Sequence, residues 1–203
     1  MIVTQLRALL SGLLALLFAV FAVAPGAGAQ AARPGDVDIG SADASVTVIE
    51  YFSLTCTLCA QFHTETMPGI FAKYVKTGKV RFIYRDFPLD DVALGAAMLT
   101  QCLDDRLHYG FVQMLYKQQE NWTSSDNPIG AVARLARVAG LSEDRAAACL
   151  ADTQLRDTIV AGQNAASQDF QVTAPPSFII DGELIAGVLS LSDFEDLIEP
   201  LLN

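Results

Sequence analysis

Two cysteines separated by two residues, Cys56 and Cys59, lie at a junction between two hydrophobic patterns. Before them, the β-branched and aromatic run Val46–Phe52 predicts a buried strand. After them, residues 60–76 have the composition of a helix, so we expect a helix that begins at Cys56 with Thr55 as its N-cap. Cysteines three positions apart in a first helical turn share a face, and their sulfurs can therefore close and reopen a disulfide.

The start of a helix also makes the first cysteine reactive. Its unpaired backbone N–H groups and the positive end of the helix dipole favour a thiolate, which is the species that exchanges disulfides. We expect Cys56 to be the attacking cysteine, more exposed and of lower pKa, and Cys59 to be the resolving cysteine one turn deeper. Half of a zinc site is the alternative interpretation of this pair.

A zinc site would need further ligands, for which the chain offers few candidates. His63 shares the helix face of the two cysteines, and the other cysteines are Cys102 and Cys149. Their spacing matches no common zinc module, so we expect neither a metal nor another cofactor. For His63 we weigh two roles, support of the thiolate or a packed or capping histidine, and favour the second.

The first 29 residues have the pattern of a secretory signal peptide. Arg7 precedes an uncharged, mostly apolar stretch from Ala8 to Ala24, and Ala27-Gly28-Ala29 offers a small-residue cleavage site. We expect cleavage after Ala29 and export to the periplasm, where disulfides can persist. An uncleaved membrane anchor is the alternative.

Charge and length limit the other possibilities. The formal net charge of −10 argues against nucleic acid and anionic membranes as partners, since both require a positive surface. The 203 residues suffice for one domain, or for one domain with an insertion, around a substantial core.

The rest of the chain shows a clear order of patterns. They predict an edge strand at Val37–Ile39, a strand at Lys79–Asp86, helices from Asp91 to about Gln168, a hairpin of Ser177–Ile180 and Glu183–Ala186, and a helix at Leu191–Leu202. We expect Pro68-Gly69 to kink or interrupt the first helix and Ser192 to cap the last. This order is typical of an α/β, thioredoxin-like fold with an inserted all-helical domain.

Four segments carry a resemblance to DsbA-like thiol:disulfide oxidoreductases of the thioredoxin superfamily. They are Val46 to Cys56, Cys59-Ala60-Gln61-Phe62-His63, Thr77 to Pro88, and Val172-Thr173-Ala174-Pro175-Pro176-Ser177-Phe178. The resemblance implies a thioredoxin-like domain in two parts, residues 30–90 and 170–203, separated by a helical insertion domain at 91–169. It also implies an enzyme that forms disulfides in other exported proteins.

The resemblance also implies roles for individual residues. Glu50 matches a buried acid that exchanges protons with the resolving cysteine; a solvent-facing glutamate is the alternative. Pro176 matches a cis-proline facing the cysteine pair, with Pro175 and Phe178 as substrate-binding neighbours; a stiff loop and core packing are the alternatives. Cys102 and Cys149 lie in the insertion, where we favour a structural disulfide over two buried thiols.

Two departures from the family pattern affect the expected activity. The family usually has Pro-His between its cysteines, and this chain has Thr57-Leu58; it has Pro175 where Thr or Val is usual. Leu58 cannot donate a side-chain hydrogen bond to the thiolate, so we expect a weaker oxidant.

Partners and alternatives complete the sequence prediction. We expect a monomer that acts on unfolded or reduced exported proteins and is recycled by a membrane thiol oxidase of the DsbB type, or by a reducing partner. The alternatives are a disulfide isomerase or reductase, and a redox-inactive binding or chaperone module with the same fold.

Overall fold

The computed structural model describes residues 33–202 and contains one mixed five-stranded sheet. Its strands, in the spatial order β1-β3-β2-β4-β5, are β1 Val37–Ile39, β2 Val46–Phe52, β3 Val80–Asp86, β4 Ser177–Ile180 and β5 Glu183–Ala186. β2 pairs in parallel with β3 and antiparallel with β4. The signal peptide predicted for residues 1–29 lies outside the described residues.

The two central strands have side chains buried on both faces of the sheet. Val48 and Phe52 of β2 lie in the larger core with the helices that follow the cysteines, whereas Ile49 and Tyr51 lie in a smaller core on the opposite face. Glu50 belongs to the first of these faces because side chains alternate along a strand. The parallel pairing of β2 with β3 requires a crossover, which the first helical segment supplies.

That crossover consists of short helical pieces. α1 Thr57–Gln61 and α2 Met67–Ile70 are each followed by a π-helical turn, Phe62–Thr66 and Phe71–Val75. Pro68 lies in the first turn of α2, where its missing N–H costs no hydrogen bond. The helical turns run without a break from Thr57 to Val75, so the chain is not interrupted at this proline; the helix instead changes there from π-helical to α-helical turns.

Six helices occupy the chain between β3 and β4. They are α3 Asp91–Gln101, α4 Asp105–Lys117, α5 Gln119–Thr123, α6 Pro128–Val138, α7 Glu143–Ala151 and α8 Thr153–Phe170. Side-chain N-caps begin several of them: Asp90 accepts a hydrogen bond from the backbone of Ala93, and Ser142 from that of Arg145. A disulfide joins Cys102 to Cys149 and so ties the end of α3 to α7.

The chain returns to the sheet through the predicted hairpin. Asp181 and Gly182 connect β4 to β5 with φ angles of 50° and 82°, the left-handed conformations that a tight two-residue hairpin turn requires. α9 Leu191–Ile198 follows, with a 3₁₀ turn at Glu199–Leu201. The expected cap at Ser192 is wrong: Ser190 caps α9 in a capping box with Asp193.

The inserted helices and the sheet form a continuous core. Phe111, Leu115 and Trp122 of the insertion pack in the same cluster as Phe52 and Phe178 of the sheet. Within residues 33–202 no helix combines the length and the hydropathy needed to cross a bilayer.

Candidate active site

Cys56 lies where β2 gives way to α1. It is itself the N-cap of α1, with extended backbone angles, and its Sγ accepts a hydrogen bond from the backbone N–H of Cys59 at 3.4 Å. The prediction that Thr55 is the N-cap is therefore wrong. The Thr55 hydroxyl instead donates to Asp90 at 2.9 Å, which ties the loop before the cysteines to the start of α3. The sulfur of Cys56 thus accepts, from a backbone N–H group of the first helical turn, the hydrogen bond that the hydroxyl oxygen of an N-cap serine usually accepts.

The two sulfurs have very different surroundings. Both cysteines are free thiols in the structure; Cys56 is 8% exposed and Cys59 is fully buried. Hydrogen bonds from the Cys59 thiol, and then from the backbone of Cys59 and Leu58, lower the pKa of Cys56 to about 6 against the opposing effect of burial. Burial above all, then the hydrogen bond to Cys56 and the charge of Glu50, raises the pKa of Cys59 far above its usual value.

The strand pairing brings the proline segment to the cysteines. β4 begins at Ser177, which lies opposite Tyr51 near the end of β2. The peptide bond between Pro175 and Pro176, just before β4, is cis. The Pro175 carbonyl oxygen lies 3.5 Å from Cys56 Sγ and accepts a hydrogen bond from it.

Phe178 does not have the substrate-binding position that the sequence suggested. Its side chain is fully buried, and its ring packs against the ring of Phe62 with 4.7 Å between centroids. Alternation along β4 turns it into the core, since Ser177 and Ile179 take the other face. Phe178 therefore belongs to the support of the site, and Pro175 is the member of this segment that contacts the reactive sulfur.

Glu50 is fully buried and has a specific partner, which overturns the solvent-facing alternative. Its two carboxylate oxygens each lie 3.1 Å from Nε2 of His63, which is also fully buried. The histidine is therefore a packed residue, turned towards the carboxylate. Nδ1 of the same ring lies 2.8 Å from the side-chain nitrogen of Gln113 on α4.

Three polar residues of the insertion that the sequence analysis missed hold this site together. The amide of Gln119 donates to the carbonyl oxygens of Leu54 and Cys56, at 2.8 and 2.9 Å. The Tyr116 hydroxyl donates to the carbonyl of Ser53 at 3.1 Å. These three hydrogen bonds fix the loop between β2 and α1, and Gln113 fixes His63. For the two glutamines the available signal was a polar side chain placed among the apolar positions of a helix.

The surface beside Cys56 is partly apolar and partly acidic. Leu58 and Leu89 are about half exposed, at 50% and 53%. An adjoining groove of about 590 Å³ is lined by Thr55, Thr57, Asp90, Val92, Gln119, Glu120 and Thr123. The groove opens directly beside the two residues that flank Cys56, so an extended peptide bonded to that sulfur has room to lie there.

Metal ligation does not suit the residues around the cysteines. Both ring nitrogens of His63 are engaged, one by Glu50 and one by Gln113. Within residues 33–202 no group of three or more His, Cys, Asp or Glu side chains has an arrangement that could hold a metal ion.

Comparison with known proteins places this site in a family. A family model described as Thioredoxin (Thioredoxin_4) matches residues 32–200. The chain belongs to the thioredoxin superfamily and is DsbA-like. The structure of Wolbachia pipientis alpha-DsbA1 is similar over 86% of this chain and 94% of that one, with a TM-score of 0.80 and 29% identity. A single-residue variant of the same protein shows 30% identity, over 84% of this chain and 92% of that one, with a TM-score of 0.79.

Two further similarities show less, because one covers little more than half of the relative and the other concerns the fold alone. A Rickettsia bellii protein named as a candidate protein-disulfide oxidoreductase is 28% identical over 72% of this chain. The match covers 57% of that protein, so the chain spans little more than half the length of the curated relatives it matches. A protein-disulfide isomerase of Novosphingobium aromaticivorans, 23% identical over 83% of this chain and 98% of that one, shares the fold with a TM-score of 0.72.

Proposed function

We propose that this DsbA-like protein is a thiol:disulfide oxidoreductase that is exported and forms disulfides in other exported proteins. The observation that carries the proposal is the asymmetry between its two cysteines. Hydrogen bonds at a helix N-cap lower the pKa of Cys56 to about 6, whereas burial raises that of Cys59 far above its usual value. One sulfur is thus prepared to attack or leave as a thiolate, and the other to resolve.

The geometry supports a two-step oxidation of substrate thiols. A substrate thiolate attacks Sγ of Cys56 in the Cys56–Cys59 disulfide, the bond between the two cysteines breaks, and Cys59 leaves as a thiolate that takes up a proton. A second substrate thiolate then attacks the substrate sulfur, which forms the substrate disulfide and releases Cys56 as a thiolate. The low pKa of Cys56 makes it the better leaving group in that second step.

The cis-proline segment supports binding of an extended substrate strand. Pro175 presents its carbonyl oxygen 3.5 Å from Cys56 Sγ, so a substrate N–H next to the bonded cysteine can donate to it. Neither Pro175 nor Pro176 has an N–H to donate in return. We therefore infer that substrate binding relies on one backbone acceptor and on the groove beside Thr57, with modest peptide affinity.

Export and partners are part of the same proposal. The signal-like leader at residues 1–29 and the disulfide between Cys102 and Cys149 both suit the periplasm. Each cycle leaves Cys56 and Cys59 reduced by two electrons, so a partner must remove them. We propose a membrane thiol oxidase of the DsbB type in that role, with the protein acting as a monomer on reduced exported proteins.

Trapping of mixed disulfides tests the proposal. Cys59→Ala removes the resolving sulfur, so adducts between Cys56 and substrates should accumulate in the exported fraction of expressing cells, detected on non-reducing gels and by mass spectrometry. Cys56→Ser should abolish both peptide oxidation and these adducts while leaving the circular dichroism spectrum unchanged.

The double variant Cys56→Ser/Cys59→Ala is the matched control and should form no adducts. Peptide oxidation that survives Cys56→Ser, or the absence of adducts in Cys59→Ala, would contradict the assignment and favour a redox-inactive binding module. Adducts confined to the cytoplasmic fraction would contradict export.

A further inference from the structure

Three buried polar residues from separate elements form a connected trio: Glu50 on β2, His63 in the turn after α1, and Gln113 on α4. His63 Nε2 is 3.1 Å from both carboxylate oxygens of Glu50, and Gln113 Nε2 is 2.8 Å from His63 Nδ1. Glu50 and His63 are both 0% exposed. Because water does not reach these groups, each hydrogen bond strongly affects which proton position is favoured.

The direction of the hydrogen bonds sets the tautomer of His63. The Gln113 amide nitrogen can only donate, so Nδ1 of His63 accepts and carries no proton. The ring proton then lies on Nε2, which donates to the carboxylate of Glu50. The neutral imidazole thus gives Glu50 one donor shared between its two oxygens, and a hydrogen bond donated to a carboxyl group favours its ionised form.

An ionised Glu50 matters for the resolving cysteine. Burial and the charge of Glu50 both raise the pKa of Cys59, so this thiol does not ionise by itself near neutral pH. It can act as a nucleophile only by passing its proton to a base as it attacks. Glu50 is a carboxylate close enough to act electrostatically on both Cys56 and Cys59.

Resting on the function proposed above, we propose that His63 is a positioning residue that keeps Glu50 ionised as the proton acceptor of Cys59. During recycling, Cys56 is joined to an oxidising partner by a mixed disulfide. Cys59 gives its proton to Glu50, and its sulfur attacks Cys56 Sγ. The Cys56–Cys59 bond forms, the bond from Cys56 to the partner breaks, and the partner sulfur leaves as a thiolate.

The other ionisable groups around this trio do not supply a competing charge. They are Tyr84 on β3 and His108 and Tyr116 on α4, besides Cys59 on α1. Burial raises the pKa of both tyrosines well above the usual value and lowers that of His108 to about 4, so all three are neutral at pH 7. His108 is a suitable control for His63, because it is also buried but neither of its ring nitrogens has a hydrogen-bond partner within the described residues.

The reaction of the reduced protein with glutathione disulfide tests this role. Acid quenching followed by mass spectrometry separates formation of the Cys56–glutathione adduct from its conversion to the Cys56–Cys59 disulfide. In His63→Leu the carboxylate loses its donor, and a buried carboxylate without a partner favours its neutral form. The conversion step should slow by about tenfold at pH 7 and reach its wild-type rate about one pH unit higher, since a tenfold change corresponds to one unit.

Four comparisons separate this role from plain packing. His63→Gln keeps a neutral donor, so its conversion rate should be within about threefold of the wild-type rate. Glu50→Gln should convert the adduct as slowly as His63→Leu does. The double variant His63→Leu/Glu50→Gln should be no slower than either single variant. His108→Leu is the matched control and should leave the pH profile unchanged. Gln113→Leu replaces His63→Leu if that variant does not fold. It removes the donor that fixes the tautomer of His63, so it should also slow the conversion step.

The outcomes distinguish this inference from the proposed function. If the wild type forms neither a glutathione adduct at Cys56 nor the Cys56–Cys59 disulfide, the proposed function is contradicted. If adducts form normally and the pH profile of conversion is the same in His63→Leu as in the wild type, only the role of His63 is overturned. Equal and additive slowing by His63→Leu and His108→Leu would likewise overturn it, because that result reports on core packing.

Discussion

The reactivity of Cys56 comes from the backbone around it. Its sulfur receives hydrogen bonds from the Cys59 thiol and from the amides of Cys59 and Leu58, and these suffice to lower its pKa to about 6. The Leu58 side chain is half exposed and offers no donor. The helix start therefore supplies a thiolate without a histidine in the dipeptide, while the position next to the sulfur remains available for a further donor.

Adding that donor should make the protein a stronger oxidant. Leu58→His places an imidazole beside the sulfur, and a charge-assisted hydrogen bond should lower the pKa of Cys56 below about 6 and raise the reduction potential. For a two-electron couple about 30 mV corresponds to roughly 1.4 kcal/mol, so the shift should amount to tens of millivolts. Thiolate absorbance and glutathione equilibria measure the two quantities separately.

Leu58→Gln is the control for this change, since it adds a neutral donor at the same position and should have a smaller effect on both quantities. If Leu58→His leaves the pKa and the potential unchanged, the expectation that Thr57-Leu58 weakens the oxidant is wrong.

At the scale of elements, the patterns predicted the strands well and the helix caps poorly. β2 has the predicted bounds, and the hairpin turn at Asp181 is where the sequence placed it, because alternation and turn chemistry are local. The caps at Thr55 and Ser192 were each misplaced by one or two residues. Each helix start has several neighbouring residues that can serve as an N-cap, and only tertiary packing decides at which of them the helix begins.

The support of the active site was the least predictable part. Gln113 and Gln119 reach it from helices that lie 50 and 63 residues further along the chain than their partners His63 and Cys56. A local pattern identifies them as polar residues on a buried face and carries no information about which distant carbonyl or ring they meet. The cysteines could be found from sequence because strand, helix start and spacing coincide within a few residues.

The N-cap of α9 can be tested by mutation. Ser190 accepts from the backbone N–H of Asp193 at 3.1 Å, and the carboxylate of Asp193 accepts from the Ser190 backbone at 3.1 Å. Ser190→Ala breaks this box and should lower the free energy of unfolding by about 1 kcal/mol in urea titrations. Ser192→Ala, on the exposed face of the same helix, is the matched control and should change it by less than about 0.5 kcal/mol. Equal effects of the two variants would contradict the assignment of the cap.

At the scale of the whole molecule, redox state and stability are coupled through one thiol. The fold holds Cys56 with a pKa of about 6, whereas in the unfolded chain its pKa is near the ordinary value of 9.0. Between these two values the unfolded chain binds more protons at this sulfur than the folded protein does, so reduced protein gains stability as pH rises. The oxidised protein has no thiol at this position and lacks the gain, which favours reduction of the disulfide and hence oxidation of substrates.

The pH dependence of unfolding should reveal this coupling. The contribution of Cys56 to the stability of the reduced protein should be fully present above about pH 9 and lost as pH falls through about 6. The difference in unfolding free energy between the reduced wild type and reduced Cys56→Ser should therefore grow across that window, with a slope of at most about 1.4 kcal/mol per pH unit. Urea titrations at a series of pH values measure it.

Subtracting the unfolding free energy of the serine variant cancels the contributions of other titrating groups, such as Asp86, whose pKa burial raises to about 6. A difference that stays flat from pH 6 to 9 would mean that the folded protein does not stabilise the Cys56 thiolate.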